Sequence, residues 1–196
     1  KVDLKTKLIF AGSSLMFKNA NKKVSEKTVL KSNDYYGNYK IDAHKMIMKM
    51  KKEKKIDAST AILFNHDSVF RNKKFLLPKL VKSFANKDFK FIKNIYKLNI
   101  SGDFSHAKDI CNGIYKLSIT KKKIDMLILS SGKRFYINKI IDYLEKYFQY
   151  NIKKKYSDKN LNHGIIGSNK LAVKLINYKS LKSPINACEE ILKNYL

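Results

Sequence analysis

The chain has 196 residues, with 42 Lys plus Arg against 16 Asp plus Glu and a formal net charge of +26. Hydrophobic residues make up 44% and aromatics 12%, which excludes a disordered basic tail and supports a real core. No apolar run is long enough to span a membrane, and the two cysteines, Cys111 and Cys188, form neither a metal-ligand pair nor a disulfide framework.

In chain order, Lys7 to Ala11 (KLIFA) reads as a buried strand that ends in Gly12-Ser13-Ser14. Lys18 to Asn33 has no period and reads as a loop. From Tyr35 to Lys55 the pattern turns helical, with Ala43, Ile47 and Met50 on one face. Ala58 to Phe64 is a second strand, ending at Asn65-His66-Asp67-Ser68. A helix follows from Leu77 to Ala85, with Pro78 tolerated in its first turn. Phe91 to Ile100 is expected as a strand, Ser105 to Leu117 as a helix, and Met126 to Leu129 as a strand. Ile137 to Phe148 is a strongly amphipathic helix. A lysine-rich connection, Lys153 to Asn162, precedes final helices over Ser168–Ile176 and Pro184–Leu196. Strands alternating with helices give an α/β fold with a parallel sheet.

Only two basic residues are arginine, Arg71 and Arg134, whereas recognition of nucleic acid favours the arginine fork. The lysines lie in every segment beside many Asn, Ile and Tyr, a bias that an AT-rich coding sequence also produces. The total charge therefore reads as compositional drift, with some lysines facing an anionic ligand.

The seven glycines make no phosphate-cradling or dinucleotide fingerprint, and Gly164-Ile165-Ile166-Gly167 reads as a turn. The four histidines have no metal-ligand spacing, so no metal is expected, and His44 reads as a surface residue. One constellation carries chemistry: Tyr36-Gly37-Asn38-Tyr39-Lys40. Tyr36 and Lys40 lie one helical turn apart on one face, and a lysine ammonium beside a tyrosine favours the phenolate, a usable general base. Tyr35 and Tyr39 offer a rival spacing, and the bland alternative is a pair of surface residues. Ser13 lies at the carboxyl end of a strand, where open α/β sheets bind ligands, and completes a Ser/Tyr/Lys set.

This set resembles that of the extended short-chain dehydrogenase/reductases, and flanking segments resemble the GDP-mannose 4,6-dehydratase family in particular. Ala61 to Ser68 (AILFNHDS) resembles its I-L-F-N-H-E-S stretch, and Asp103 to Asp109 (DFSHAKD) its R-D-W-G-H-A-K-D stretch. Ala11 to Phe17 (AGSSLMF), Glu26-Lys27-Thr28 and Leu129-Ser130-Ser131-Gly132 match further family segments in the same order. The resemblance runs from about Lys7 to Phe148 and more loosely to the end.

The resemblance implies the latter half of a Rossmann-type sheet with a smaller mixed α/β substrate-binding part. Residues 1–66 would belong to the cofactor-binding domain and 67–196 mainly to the sugar-nucleotide part, with 101–130 returning to the sheet. It implies NADP as cofactor, with NAD as the alternative, and oxidation at C4 of GDP-mannose followed by loss of water across C5 and C6. Tyr36 would be the base, Lys40 would support it and hold the nicotinamide ribose, and Ser13 would orient the substrate oxygen. His66 and Arg71 match cofactor-contacting positions, and Asn65 and Lys79 match positions on the sugar-nucleotide side. In extended relatives the helix corresponding to Tyr36–Lys55 also helps form a dimer, so a homo-oligomer is expected. The sparse cysteines make a reducing cytoplasm the default, the short apolar runs argue against a membrane partner, and the lysine-dominated charge disfavours nucleic acid.

Several positions depart from the family. Leu15 replaces the catalytic glutamate, Gly102 stands where the family has the arginine of R-D-W, and Ser168 replaces an aspartate. The nucleotide-contacting R-P-x-E is not recognisable near Lys153 to Leu161. The chain opens at the strand that carries Ser13, on Lys rather than Met, so it reads as the carboxyl-terminal part of the family's fold, lacking the glycine-rich fingerprint, or as a divergent copy. Two alternatives stand beside the dehydratase: another sugar-nucleotide epimerase or reductase, and a non-catalytic basic remnant or binding module.

Overall fold

The computed structural model describes residues 6–18, 23–153 and 163–195. The apolar run at the start becomes strand β1 (Lys7–Ser13), which leads through a short 3-10 turn (Ser14–Met16) to helix α1 (Tyr35–Lys52). Then come β2 (Asp57–Leu63), β3 (Asn65–Asp67), α2 (Leu76–Ala85), α3 (Phe89–Lys97), β4 (Ser101–Gly102) and β5 (Phe104–His106). Helix α4 (Ala107–Ile119), β6 (Met126–Leu129), β7 (Phe135–Tyr136), α5 (Asn138–Tyr147), α6 (Lys170–Ile176) and α7 (Pro184–Tyr195) complete the described chain.

β1, β2 and β6 form a parallel sheet in the order β1-β2-β6, with Lys7 opposite Asp57 and Thr60 opposite Met126. Parallel neighbours need helical crossovers, which α1 and α4 supply. Side chains alternate between faces along a strand, and the packing follows that alternation. Ile62, Phe64 and Ile128 bury against Met16 and Ile41 on the α1 face. Ala61, Leu127 and Leu129 bury against Ile110 and Leu117 of α4 and Ala172 and Ile176 of α6 on the other. A sheet covered on both faces explains why β2 and β6 read as continuous apolar runs.

A separate cluster joins α2, α3, α5 and α7 through Leu80, Phe84, Ile92, Ile140, Leu144 and Leu192. Phe84, Phe148 and Tyr150 stack within it, with centroids 5.7 to 6.4 Å apart. Two-stranded pairs connect the clusters: β3 with β5 in parallel, and β4 with β7 antiparallel. The α/β architecture with a parallel sheet is the one expected.

Four expectations need correction. The strand over Lys7 to Ala11 is not buried: Leu8 is 43% exposed and Ala11 is exposed, because β1 stands at the edge of the described sheet. Phe91 to Ile100 is not a strand, because α3 covers most of it. Phe89, Ile92 and Tyr96 recur at helical spacing against one cluster, and the Asp88 carboxylate caps the helix by accepting from Phe91 N at 3.1 Å. His44 is no surface residue: its Nδ1 lies 2.8 Å from Thr60 Oγ1, and burial lowers its pKa below the ordinary value. The segment Gly164 to Gly167 is not a free turn. It is pinned at both ends, by a bridge between His163 and Ser101 and another between Gly167 and Val24. The Lys153–Asn162 connection lies, from residue 154 on, outside the described residues.

Candidate active site

The carboxyl ends of β1 and β2 open into a cleft of about 530 Å³. Ligands of open α/β sheets bind at this edge, outside the strand ends. Ser13, Leu15, Asp34, Tyr36, Lys40, Asn65, His66 and Arg71 line it, and Gly164 and Ile165 form part of its wall. Six of the seven site residues read from the sequence therefore meet in one place. The seventh, Lys79, is not among the lining residues; it sits on α2 with its Nζ 4.4 Å from the centroid of the Phe91 ring.

Ser13 ends β1, and its Oγ accepts from Leu15 N at 3.2 Å, which tightens the turn that follows. Tyr36 and Lys40 come from the first turns of α1. Lys40 Nζ donates to the main-chain oxygen of Ala11 at 3.0 Å and stands 5.6 Å from the centroid of the Tyr36 ring. One lysine thus joins the helix to the strand that carries Ser13. Tyr36 is 53% exposed and faces the cleft, whereas the rivals Tyr35 and Tyr39, at 96% and 67%, do not line it.

Gly37 sets how closely α1 approaches. A Cβ at this position would collide with the main-chain oxygen of Leu15 and with Ser32 Oγ. The glycine in Tyr36-Gly37-Asn38-Tyr39-Lys40 is therefore a steric requirement of the site, which the spacing of Tyr and Lys does not reveal.

On the opposite wall, His66 Nδ1 donates to the main-chain oxygen of Phe64 at 2.7 Å. A carbonyl can only accept, so the neutral ring keeps Nε2 as an acceptor. The Arg71 guanidinium stacks 3.7 Å from the Phe75 ring centroid, and its Nε lies 3.4 Å from Asp67 Oδ1. This is a charge contact without an aligned hydrogen bond, since neither atom has a hydrogen-bond partner. Burial raises the Asp67 pKa, against the opposing pull of Arg71 and His66. Lys18, Lys40 and Arg71 outnumber Asp34 among the charged lining groups, which favours an anionic ligand.

Two buried carboxylates hold the scaffold around the cleft. Asp103 accepts from Ser131 N (2.7 Å), Ser131 Oγ (2.6 Å), Gly132 N (3.0 Å) and Gly167 N (3.2 Å). It ties the turn after β6 to the strap that carries Gly164 and Ile165. Burial raises its pKa despite these donors. Asp109 accepts from Leu181 N and Lys182 N at 2.7 and 2.8 Å, while His106 Nε2 donates to Glu190 Oε2 at 2.9 Å. The segment Asp103 to Asp109 thus latches α7 and the cleft strap to the sheet, a role its residue types alone do not disclose.

A parallel sheet covered on both faces, with serine, tyrosine and lysine side chains converging at its carboxyl edge, defines a Rossmann-type α/β protein. Its relatives are the short-chain dehydrogenase/reductases. The sequence profile of the family described as GDP-mannose 4,6 dehydratase matches residues 1–180, and the chain belongs to that family. No curated protein matches the sequence.

Solved structures share the fold at low identity. RMD from Pseudomonas aeruginosa complexed with NADPH superposes with a TM-score of 0.81 at 14% identity, over 96% of this chain and 66% of that one. UDP-glucuronic acid 4-epimerase from Bacillus cereus in complex with NAD gives 0.78 at 18% identity, over 95% and 59%. UDP-N-acetylglucosamine 4-epimerase from Methanobrevibacter ruminantium M1, in complex with UDP-N-acetylmuramic acid, gives 0.79 at 16% identity, over 97% and 63%. The chain therefore spans 59% to 66% of the length of these three structures. Among the described residues no helix is long and apolar enough to cross a membrane, and no cluster of side chains could hold a metal.

Proposed function

We propose that this chain acts on a nucleotide sugar as a GDP-mannose 4,6-dehydratase-like protein, converting GDP-mannose to GDP-4-keto-6-deoxymannose through NADP-linked oxidation at C4. The observation that carries this reading is the convergence of Ser13, Tyr36 and Lys40 with Asn65, His66 and Arg71 on one cleft.

The donor set fits the ribose and nicotinamide half of a dinucleotide. Lys40 keeps ammonium protons beyond the one given to Ala11, His66 presents Nε2, and Arg71 holds its guanidinium rigidly against Phe75. No glycine-rich turn among the lining residues offers amides to a pyrophosphate, so the fit extends to that half alone. When bound, NADP supplies the hydride acceptor that completes the oxidation, with NAD as the alternative carrier.

The chain's own residues would do the rest. Tyr36 takes the proton of the C4 hydroxyl, and Lys40 donates to the ribose hydroxyls. Ser13 donates to the substrate oxygen, and Asn65 contacts the sugar-nucleotide side. Residues 1–66, with 101–130 returning to the sheet, would form the cofactor side, and 67–196 mainly the sugar-nucleotide side. Two copies would associate through the exposed face of α1, in the cytoplasm, where the thiols of Cys111 and Cys188 stay free.

A second reading, a sugar-nucleotide epimerase or reductase, is favoured by one observation: Leu15, 47% exposed, contributes an apolar side chain to the cleft. Incubation with NADP and GDP-mannose, followed by NMR of the products, separates the readings. A 4-keto-6-deoxy sugar supports the dehydratase. Turnover of another nucleotide sugar without loss of water supports the alternative.

A further inference from the structure

Ketone formation at C4 makes the neighbouring C5 hydrogen acidic. A residue that has already taken the hydroxyl proton is then spent as a base, so elimination across C5 and C6 needs a second one. Among the described residues that line the cleft, Asp34 is the one carboxylate. It is held from two directions: its N–H donates to Ser32 Oγ at 3.2 Å, and its Oδ1 accepts from Gly37 N at 2.7 Å. Oδ2 has no partner among the described residues, and the residue is exposed. Asp34 stands two residues before Tyr36, at the corner where Gly37 touches the main chain of Leu15.

We infer that Asp34 is the catalytic base for the elimination step, which rests on the dehydratase reading above. Its free oxygen takes the proton from C5, and the electron pair of that bond moves into C4=C5 as the ketone oxygen becomes an enolate. The enolate then collapses, C5=C6 forms, and the C6–O bond breaks. The departing hydroxide takes the proton from the Asp34 carboxyl and leaves as water. One proton and one hydroxide leave the sugar, and no electron is gained or lost in the step.

Deprotonation at C5 can be followed without any oxidation, because the product ketone carries an acidic C5 hydrogen of its own. The protein is incubated with GDP-4-keto-6-deoxymannose in deuterated buffer, and loss of the C5 proton signal is followed by NMR. The same preparations are titrated with GDP to measure nucleotide affinity. Asp34→Asn and Asp34→Ser both keep an oxygen that caps α1 while removing the base. The inference requires exchange by the wild type, and a fall of about a hundredfold or more in both variants with GDP affinity unchanged. Exchange in either variant at the wild-type rate overturns it. Binding of the ketone by the wild type without exchange also overturns it, while leaving the reading of the cleft intact. A wild type that binds neither GDP nor the ketone overturns that reading too.

Discussion

Gly37 rests against the main chain of Leu15, and any side chain at Gly37 would strike the Leu15 carbonyl oxygen. This contact fixes the distance between α1 and the end of β1, and with it the placement of Tyr36 and Lys40 beside Ser13. Gly37→Ala should force α1 outward, destabilise the fold by about 1–3 kcal/mol and weaken ligand binding in the cleft. Urea unfolding and calorimetric titration with GDP check both effects. An alanine variant of wild-type stability and affinity would show that the close approach has no consequence.

Asp103 spends its carboxylate on four donors from Ser131, Gly132 and Gly167. Asp103→Asn turns one accepting oxygen into an NH2 that faces an N–H or O–H donor. The loss should be about 1–3 kcal/mol in denaturant unfolding. Hydrogen exchange should also rise at Gly132 and Gly167, where the strap lets go.

His44 stays neutral more readily in the fold than in the unfolded chain, because burial lowers its pKa below the ordinary 6.5. The unfolded chain therefore binds more protons as the solution is acidified through that value. The stabilising contribution is present above 6.5 and declines as the pH falls through the folded-state pKa. His44→Gln should flatten this part of the stability curve, measured by unfolding at a series of pH values. An unchanged slope would show that His44 does not titrate differently on folding.

How much of this was legible in the sequence depends on length and on partners. β2 and β6 announce themselves because each is an apolar run covered on both faces, whereas β1 shows the same apolar run but stays largely half-exposed. The strands β3, β4, β5 and β7 have two or three residues each, too few to show a period. α3 reads both ways in sequence, since Phe89 and Phe91 alternate while Phe89, Ile92 and Tyr96 follow the helix; packing against α2 and α5 decides it. The Tyr/Lys spacing pointed to the cleft, but Gly37 and Asp34 gain their meaning only from Leu15 and Ser32, which are distant in sequence or folded back. Lys79 matched a family position, yet the turn of α2 aims it at Phe91.

Tyr35, Tyr39 and Met46 are 96%, 67% and 62% exposed along α1, although all three carry large apolar surfaces. Association of two copies through this face is expected to bury them. Sedimentation velocity of the Tyr35→Lys, Tyr39→Lys, Met46→Lys triple variant should show monomers under conditions where the wild type is dimeric. A wild type that is monomeric at every concentration would remove the proposed interface.

The most direct measurement compares wild type and Tyr36→Phe for hydride transfer from GDP-mannose labelled with deuterium at C4, with NADP present and the label followed by NMR. The wild type should move the deuterium from C4 to C6 of the product, and Tyr36→Phe should move none, because the ring remains but the proton acceptor is gone. Transfer by Tyr36→Phe at the wild-type rate would contradict the account.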